Sequence, residues 1–163
     1  MDEIEQLHSK FKNIVFYDIP FNSKMFYNIL ANSKESIVHI LFGKKDLKDG
    51  LNDIYNIVPR RSDFAKVFVN IKENSDTLIV KNQIYDYFRL NSIKSLLCLK
   101  ILRNNGLINI EESDNIFVLR RNNVESKVDI KDDQLLKKLY MAEKSFIKFA
   151  FQILKKNVKE ETA

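Results

Sequence analysis

The chain has 163 residues and a mass of 19.2 kDa, with 27 Lys and Arg against 22 Asp and Glu for a net charge of +5. That length holds one compact domain or two small subdomains sharing an interface, and 45% hydrophobic residues with only 3 Gly and 2 Pro exclude a low-complexity or disordered chain. A single cysteine, Cys98, excludes an internal disulfide, and the isolated His8 and His39 exclude a Cys/His zinc cluster.

The opening Met1-Asp2-Glu3-Ile4-Glu5 lacks the basic-then-apolar order of a signal peptide, and no apolar run reaches the roughly 18–20 residues of a membrane span. A cytoplasmic monomer without membrane contact is expected. Asn13 to Ile19 is an apolar run rich in β-branched and aromatic residues, stopped by Pro20, and reads as a buried strand. Ser23 is placed to cap a helix running through Leu30, and Ile37 to Phe42 is a second buried strand, ended by Gly43. Two strands joined by a helix make a βαβ unit with parallel pairing. His39, in mid-strand, reads as a hydrogen-bonded core or edge residue. Gly43-Lys44-Lys45, ahead of a helix over Leu47 to Ile57, invites a phosphate-loop reading that fails. A Walker loop needs a glycine five residues before its Gly-Lys pair and Ser or Thr directly after it, where this chain has Val38 and Lys45.

Ser62 is placed to cap a helix from Asp63 to Ile71, with Phe64, Val67, Phe68 and Ile71 on one face. A polar turn leads to a short strand, Thr77 to Val80. Helices follow from about Asn82 to Arg89 and from about Ser92 to Asn104, the second closed by Gly106. Leu107 to Ile110 and Ile116 to Leu119 are strands around a hairpin loop, Glu111 to Asn115. Helix, strand, helix, helix, hairpin is the order of a winged helix-turn-helix.

From about Asp132 to Lys156 the chain holds neither Gly nor Pro. Leu135, Leu139, Ala142, Phe146, Phe149 and Ile153 form a heptad stripe beside a second row of Leu136, Tyr140, Ile147, Ala150 and Leu154. A face that wide is expected to pack on its own domain rather than to self-dimerise. Asp132 and Asp133 near the start and Lys155 and Lys156 near the end match the helix dipole. The expected class is α/β (α+β): a small βαβ parallel-sheet part over residues 1–58, a winged-helix-like part over 59–125, and a long C-terminal helix over 126–163 packing on the rest.

The charge is unevenly spread: residues 1–58 sum to −1, residues 59–125 to +3 and residues 126–163 to +3. All six arginines, Arg60, Arg61, Arg89, Arg103, Arg120 and Arg121, lie in the middle part. The planar fork of arginine suits phosphate, so a nucleic-acid surface is expected there.

One succession of segments runs Ile14-Val15-Phe16-Tyr17-Asp18-Ile19-Pro20, Ile40-Leu41-Phe42-Gly43 and Pro59-Arg60-Arg61-Ser62-Asp63-Phe64-Ala65-Lys66. It continues with Leu99-Lys100-Ile101-Leu102-Arg103-Asn104-Asn105-Gly106-Leu107-Ile108 and Lys127-Val128-Asp129-Ile130. Together they resemble the C-terminal domain of RecJ-type single-stranded-DNA-specific exonucleases, in the form found in low-GC Gram-positive bacteria. The resemblance runs from about Phe11 to Leu154. It implies DNA repair and recombination, a 5′-to-3′ exonuclease that uses Mn or Mg, and work alongside single-stranded-DNA-binding protein. That family's metal centre takes Asp-His-His and further Asp and His ligands in its catalytic domains, and this chain carries no such motif. The expectation is a noncatalytic accessory domain without a cofactor of its own. Its partners would be single-stranded DNA, single-stranded-DNA-binding protein and the catalytic core of the exonuclease. Two other readings are a structural bracing domain with no ligand and a free-standing winged-helix DNA-binding regulator.

Arg60 and Arg61 precede a helix N-terminus, where an anionic partner, DNA phosphate or the acidic tail of single-stranded-DNA-binding protein, would suit them; the alternative is an intramolecular pair with Asp63 or an acid from the first third of the chain. In a winged helix the second helix of the turn would offer Lys94, Lys100 and Arg103 to DNA. Lys94 points away from the other two and Leu96 falls between the other two, so the helix reads as mostly buried. The hairpin tip is acidic (Glu111, Glu112, Asp114), with Arg120 and Arg121 at its other end. Tyr85, Tyr87, Phe88 and Arg89 form the densest aromatic and cationic cluster; Tyr85 and Phe88 read as core, leaving Tyr87 and Arg89 for single-strand contact. Cys98 reads as an inert core thiol.

Overall fold

The computed structural model describes residues 11–20, 23–33, 35–124 and 128–160, with side chains as far as Ile153. His8, Glu125 and Lys127, and the side chains of Leu154, Lys155 and Lys156, lie outside the described residues. The architecture is α/β with a parallel pair, an antiparallel sheet and a long C-terminal helix. No helix among the described residues is long and apolar enough to cross a membrane. The chain divides into one unit of residues 1–54 with 142–163 and a second of residues 55–141. The boundaries read from the sequence stand after Val58 and Glu125, so the C-terminal helix is shared between the units and is not a part of its own.

In the first unit, β1 (Asn13–Phe16), α1 (Ser23–Asn32) and β2 (Ile37–Ile40) form the βαβ unit, followed by α2 (Lys44–Ile57). β1 and β2 pair in parallel, Ile14 opposite Val38 and Phe16 opposite Ile40. The core gathers Phe16, Phe26, Ile29, Phe42, Leu47, Phe146, Phe149 and Ala150. Phe26 lies at its centre, 4.8 Å from the ring of Phe16 and 5.2 Å from that of Phe149. The strands are not buried as the apolar runs suggested. Alternate side chains point to opposite faces, and only the face of Ile14, Phe16 and Val38 meets this core. Val15 and Ile37, on the other face, are 55% and 63% exposed. β1 also stops at Phe16 rather than Ile19. His39 is exposed, its Nε2 3.2 Å from Asn13 Oδ1. The Gly43 N–H donates to Asp46 Oδ2 at 2.7 Å, so the amide a phosphate loop would offer is taken by a side chain of α2 itself.

The second unit runs α3 (Arg61–Asn70), β3 (Thr77–Val80), a 3₁₀ turn (Lys81–Gln83), α4 (Ile84–Phe88), α5 (Ser92–Asn104), β4 (Ile108–Glu112) and β5 (Ile116–Arg121). The antiparallel sheet has the order β3-β5-β4, with Ile79 opposite Phe117 and Ile110 opposite Leu119. Pairing of the first strand with the last strand of the hairpin completes a winged helix-turn-helix. α5 has the expected bounds because both ends are specified. Asn91 Oδ1 accepts the N–H groups of Ile93 and Lys94 at 2.9 and 3.3 Å. At the other end Gly106 adopts φ 69°, the left-handed stop that glycine takes without strain. The helix buries Cys98, Leu99, Ile101 and Leu102 in a cluster with Phe64, Val67, Phe88, Leu119 and Leu136. Each large apolar side chain removed from water there contributes about 1.5–3 kcal/mol.

Two helix ends differ from expectation. α3 begins at Arg61, so Ser62 lies inside the first turn and does not cap it; Asp63 Oδ2 instead accepts the Arg60 N–H at 2.8 Å. α4 is a single five-residue segment ended by Arg89 at φ 49°, a left-handed conformation on a residue with a Cβ. After a 3₁₀ turn (Ile130–Asp132), α6 (Gln134–Glu160) supplies Leu136 to the core of the second unit and Phe146, Phe149 and Ala150 to that of the first. The heptad stripe is thus divided between two cores, and Ala142, at the crossover, is exposed. Asp133 Oδ1 accepts the Leu136 N–H at 2.9 Å and opens the helix.

Candidate cationic interface

The nine residues selected from the sequence, all in the second unit, separate into cations held by acids of the fold, of which Lys94 is buried, and residues that face solvent. Arg120 and Arg121, neighbours on β5, point to opposite faces of the sheet. Arg120 donates from Nε and Nη2 to the two oxygens of Asp76 at 2.5 and 2.9 Å, and from Nη1 to Glu111. These hydrogen bonds hold the Asp76 carboxyl below its ordinary value of 3.8. Lys81 Nζ lies 2.6 Å from Glu112. Of the hairpin acids, Glu111 is paired with Arg120 and Glu112 with Lys81, and Arg120 is engaged with two carboxylates.

Arg121 donates to Glu73 at 2.7 Å and to the Val69 carbonyl at 3.0 Å, with its guanidinium 4.6 Å from the ring centroid of Phe68. It is a packed structural residue. Lys94 is buried, its Nζ donating to the Tyr55 carbonyl at 3.2 Å and lying 3.5 Å from Asp63 Oδ2. A cation held this way is not offered to phosphate, which corrects its place among the DNA-facing residues. Burial, with the nearby Asp63 charge, pushes the Cys98 thiol up to about 12.

The outer face of α5 is open. Lys100 and Arg103 are exposed, beside Ile93 at 52% and Leu96 at 43% exposure, and the four lie within an arc of about 80°. The helix is thus more open than its composition suggested, and half of its outer face is apolar. Tyr85 is 57% exposed, not core, whereas Phe88 is fully buried. Tyr87 donates its hydroxyl to the Asn70 carbonyl at 3.0 Å and stands edge-on to the buried Phe88 at 5.1 Å. Arg89 is exposed, with its carbonyl accepting Lys66 Nζ at 3.1 Å.

Arg60 and Arg61 diverge. Arg61 is exposed at the first residue of α3. The Arg60 guanidinium carbon lies 5.4 Å from the ring centroid of Tyr55 and 5.7 Å from that of Tyr140, within cation–π reach of both. Tyr140 donates its hydroxyl to the Pro59 carbonyl at 3.1 Å. Neither tyrosine is among the residues the sequence singles out: Tyr140 reads as part of the apolar side of its helix. Among the described residues no cluster of three or more His, Cys, Asp or Glu side chains could hold a metal ion. Comparison of the chain with protein-family models, curated proteins and solved structures finds no match.

Proposed function

We propose that this chain is a noncatalytic C-terminal accessory domain of a RecJ-type single-stranded-DNA-specific exonuclease, acting in the cytoplasm in DNA repair and recombination, and that it contacts single-stranded DNA through its second unit. The hydrolysis itself, with Mn or Mg, belongs to the catalytic domains of the parent enzyme. One observation carries the DNA contact. In the winged-helix unit Glu111 and Glu112 of the hairpin are paired with Arg120 and Lys81, while Arg61, Arg89, Lys100 and Arg103 stay exposed. Reading a duplex takes polar side chains aimed at base edges, and Ile93 and Leu96 occupy that part of α5. A backbone-tracking contact with a single strand asks only for exposed cations and aromatic surface.

A second reading rests on that same apolar strip. Ile93 and Leu96 beside Lys100 and Arg103 suit an acidic peptide with an apolar anchor, such as the tail of single-stranded-DNA-binding protein. Titration of the chain with a single-stranded oligonucleotide, a duplex and an acidic tail peptide, across a range of salt, tests the choice. The single strand should bind most tightly, with affinity falling as salt rises. Replacing Arg61, Lys100 and Arg103 together by Ala should flatten the log–log salt slope by about 2. Binding confined to the peptide would replace the first reading with the second.

A further inference from the structure

We infer that Tyr55, Arg60 and Tyr140 form a base-stacking site for single-stranded nucleic acid, an inference that rests on the single-strand reading above and assigns it a place. The Arg60 guanidinium faces the rings of both tyrosines, at 5.4 and 5.7 Å. Tyr140 is anchored through its ring hydroxyl, and Tyr55 through its backbone carbonyl, with its ring beside two cations. The Tyr140 hydroxyl donates to the Pro59 carbonyl, and the Tyr55 carbonyl accepts from Lys94 Nζ, whose charge also lies 5.8 Å from the Tyr55 centroid. Tyr55 nevertheless presents 62% of its surface to solvent. An aromatic plane that is held in place yet open is what a nucleobase needs, because stacking then costs little side-chain entropy. Arg61, exposed one residue on at the start of α3, is placed to meet the phosphate that follows the stacked base. Every base has a π-face, so the site should accept any sequence.

The test compares a fluorescein-labelled oligo-dT with a deoxyribose-phosphate strand of equal length that lacks bases, both titrated with the full chain by anisotropy. The wild-type chain should prefer oligo-dT by roughly tenfold. Tyr55→Leu should remove that preference and leave the salt slope unchanged. Arg60→Lys, which keeps the charge and loses the plane, should reduce the preference and serves if Tyr55→Leu fails to fold. Tyr140→Phe keeps the ring and should retain it. Arg61→Ala should weaken both strands alike and flatten the log–log salt slope by about 0.7. Equal binding of the two strands by the wild-type chain, or an undiminished preference in Tyr55→Leu, overturns the stacking site and leaves the phosphate-contact reading standing. Failure to bind either strand overturns both.

Discussion

One carboxylate oxygen of Asp63 serves two partners. Oδ2 accepts the backbone N–H of Arg60 at 2.8 Å and lies 3.5 Å from Lys94 Nζ. The start of α3 is thereby tied to α5, and the only acid within ion-pair distance of Lys94 among the described residues is a helix cap.

Asp63→Ala removes both functions. Loss of a cap costs about 1 kcal/mol, and leaving Lys94 buried without its counter-charge adds about 2 kcal/mol or more. Urea denaturation should show a loss of about 3 kcal/mol, with Asp63→Asn losing less because its side-chain oxygen still caps. A loss below about 1 kcal/mol would show that Lys94 finds another anion or water.

Arg120 should set the acid behaviour of Asp76. The carboxyl of Asp76 is lowered, first by the hydrogen bond from Arg120 and then by its charge. A carboxyl lowered in the folded state contributes stability above its unfolded value and loses that contribution as pH falls through the folded value. An NMR titration should therefore place the Asp76 midpoint below 3.8 in the wild type, and near 3.8 in Arg120→Ala. Asp132, lowered by Lys137 Nζ at 2.8 Å, should respond in the same direction to Lys137→Ala. Unchanged midpoints would mean that these pairs do not persist in solution.

Gly50→Ala tests the core of the first unit. In an open helix interior this change stabilises by about 1 kcal/mol. Here the new Cβ would meet Phe146 Cζ at 2.8 Å, and that ring is buried. Overpacking costs about 1–3 kcal/mol, so the clash should win and the variant should melt lower than wild type. A higher melting temperature would mean that the Phe146 ring yields without loss.

Cys98 should be silent toward thiol reagents. Its thiol is buried in α5 with a value near 12, which leaves essentially no thiolate at neutral pH. Ellman's reagent should react with the unfolded chain and not with the native one. Rapid reaction under native conditions would place α5 among the elements that open locally.

The winged helix was legible because its signals are local and consistent: Asn91 and Gly106 mark the ends of α5, and Thr77 to Val80 form β3 as the β-branched run implies. The burial of the parallel strands was not legible. An apolar run states how apolar a strand is, and Val15 and Ile37 show that it does not state how many faces are covered. The charged residues divided along the same line. Arg61, Lys100 and Arg103 are exposed at positions where helix periodicity puts them. Arg120, Arg121 and Lys94 were lost to Asp76, Glu73 and Asp63, partners fixed by sheet register and helix crossing at distances in sequence that no pattern encodes. Tyr140 beside Arg60 is the same effect with the opposite sign, a juxtaposition that only the fold creates.

The sharing of α6 has a consequence for biosynthesis. Phe146, Phe149 and Ala150 share a core with Phe16 and Phe26, while the whole of residues 55–141 belongs to the other unit. A ribosome delivers almost all of the winged helix before it delivers the aromatic pair that closes the first core. The winged helix, whose helices and strands all lie before Asn122, can form on the nascent chain. Phe16, Phe26 and Phe42 lack the cover of Phe146 and Phe149 until synthesis has passed Phe149, so the first core is completed after the winged helix and is the one most in need of chaperone cover.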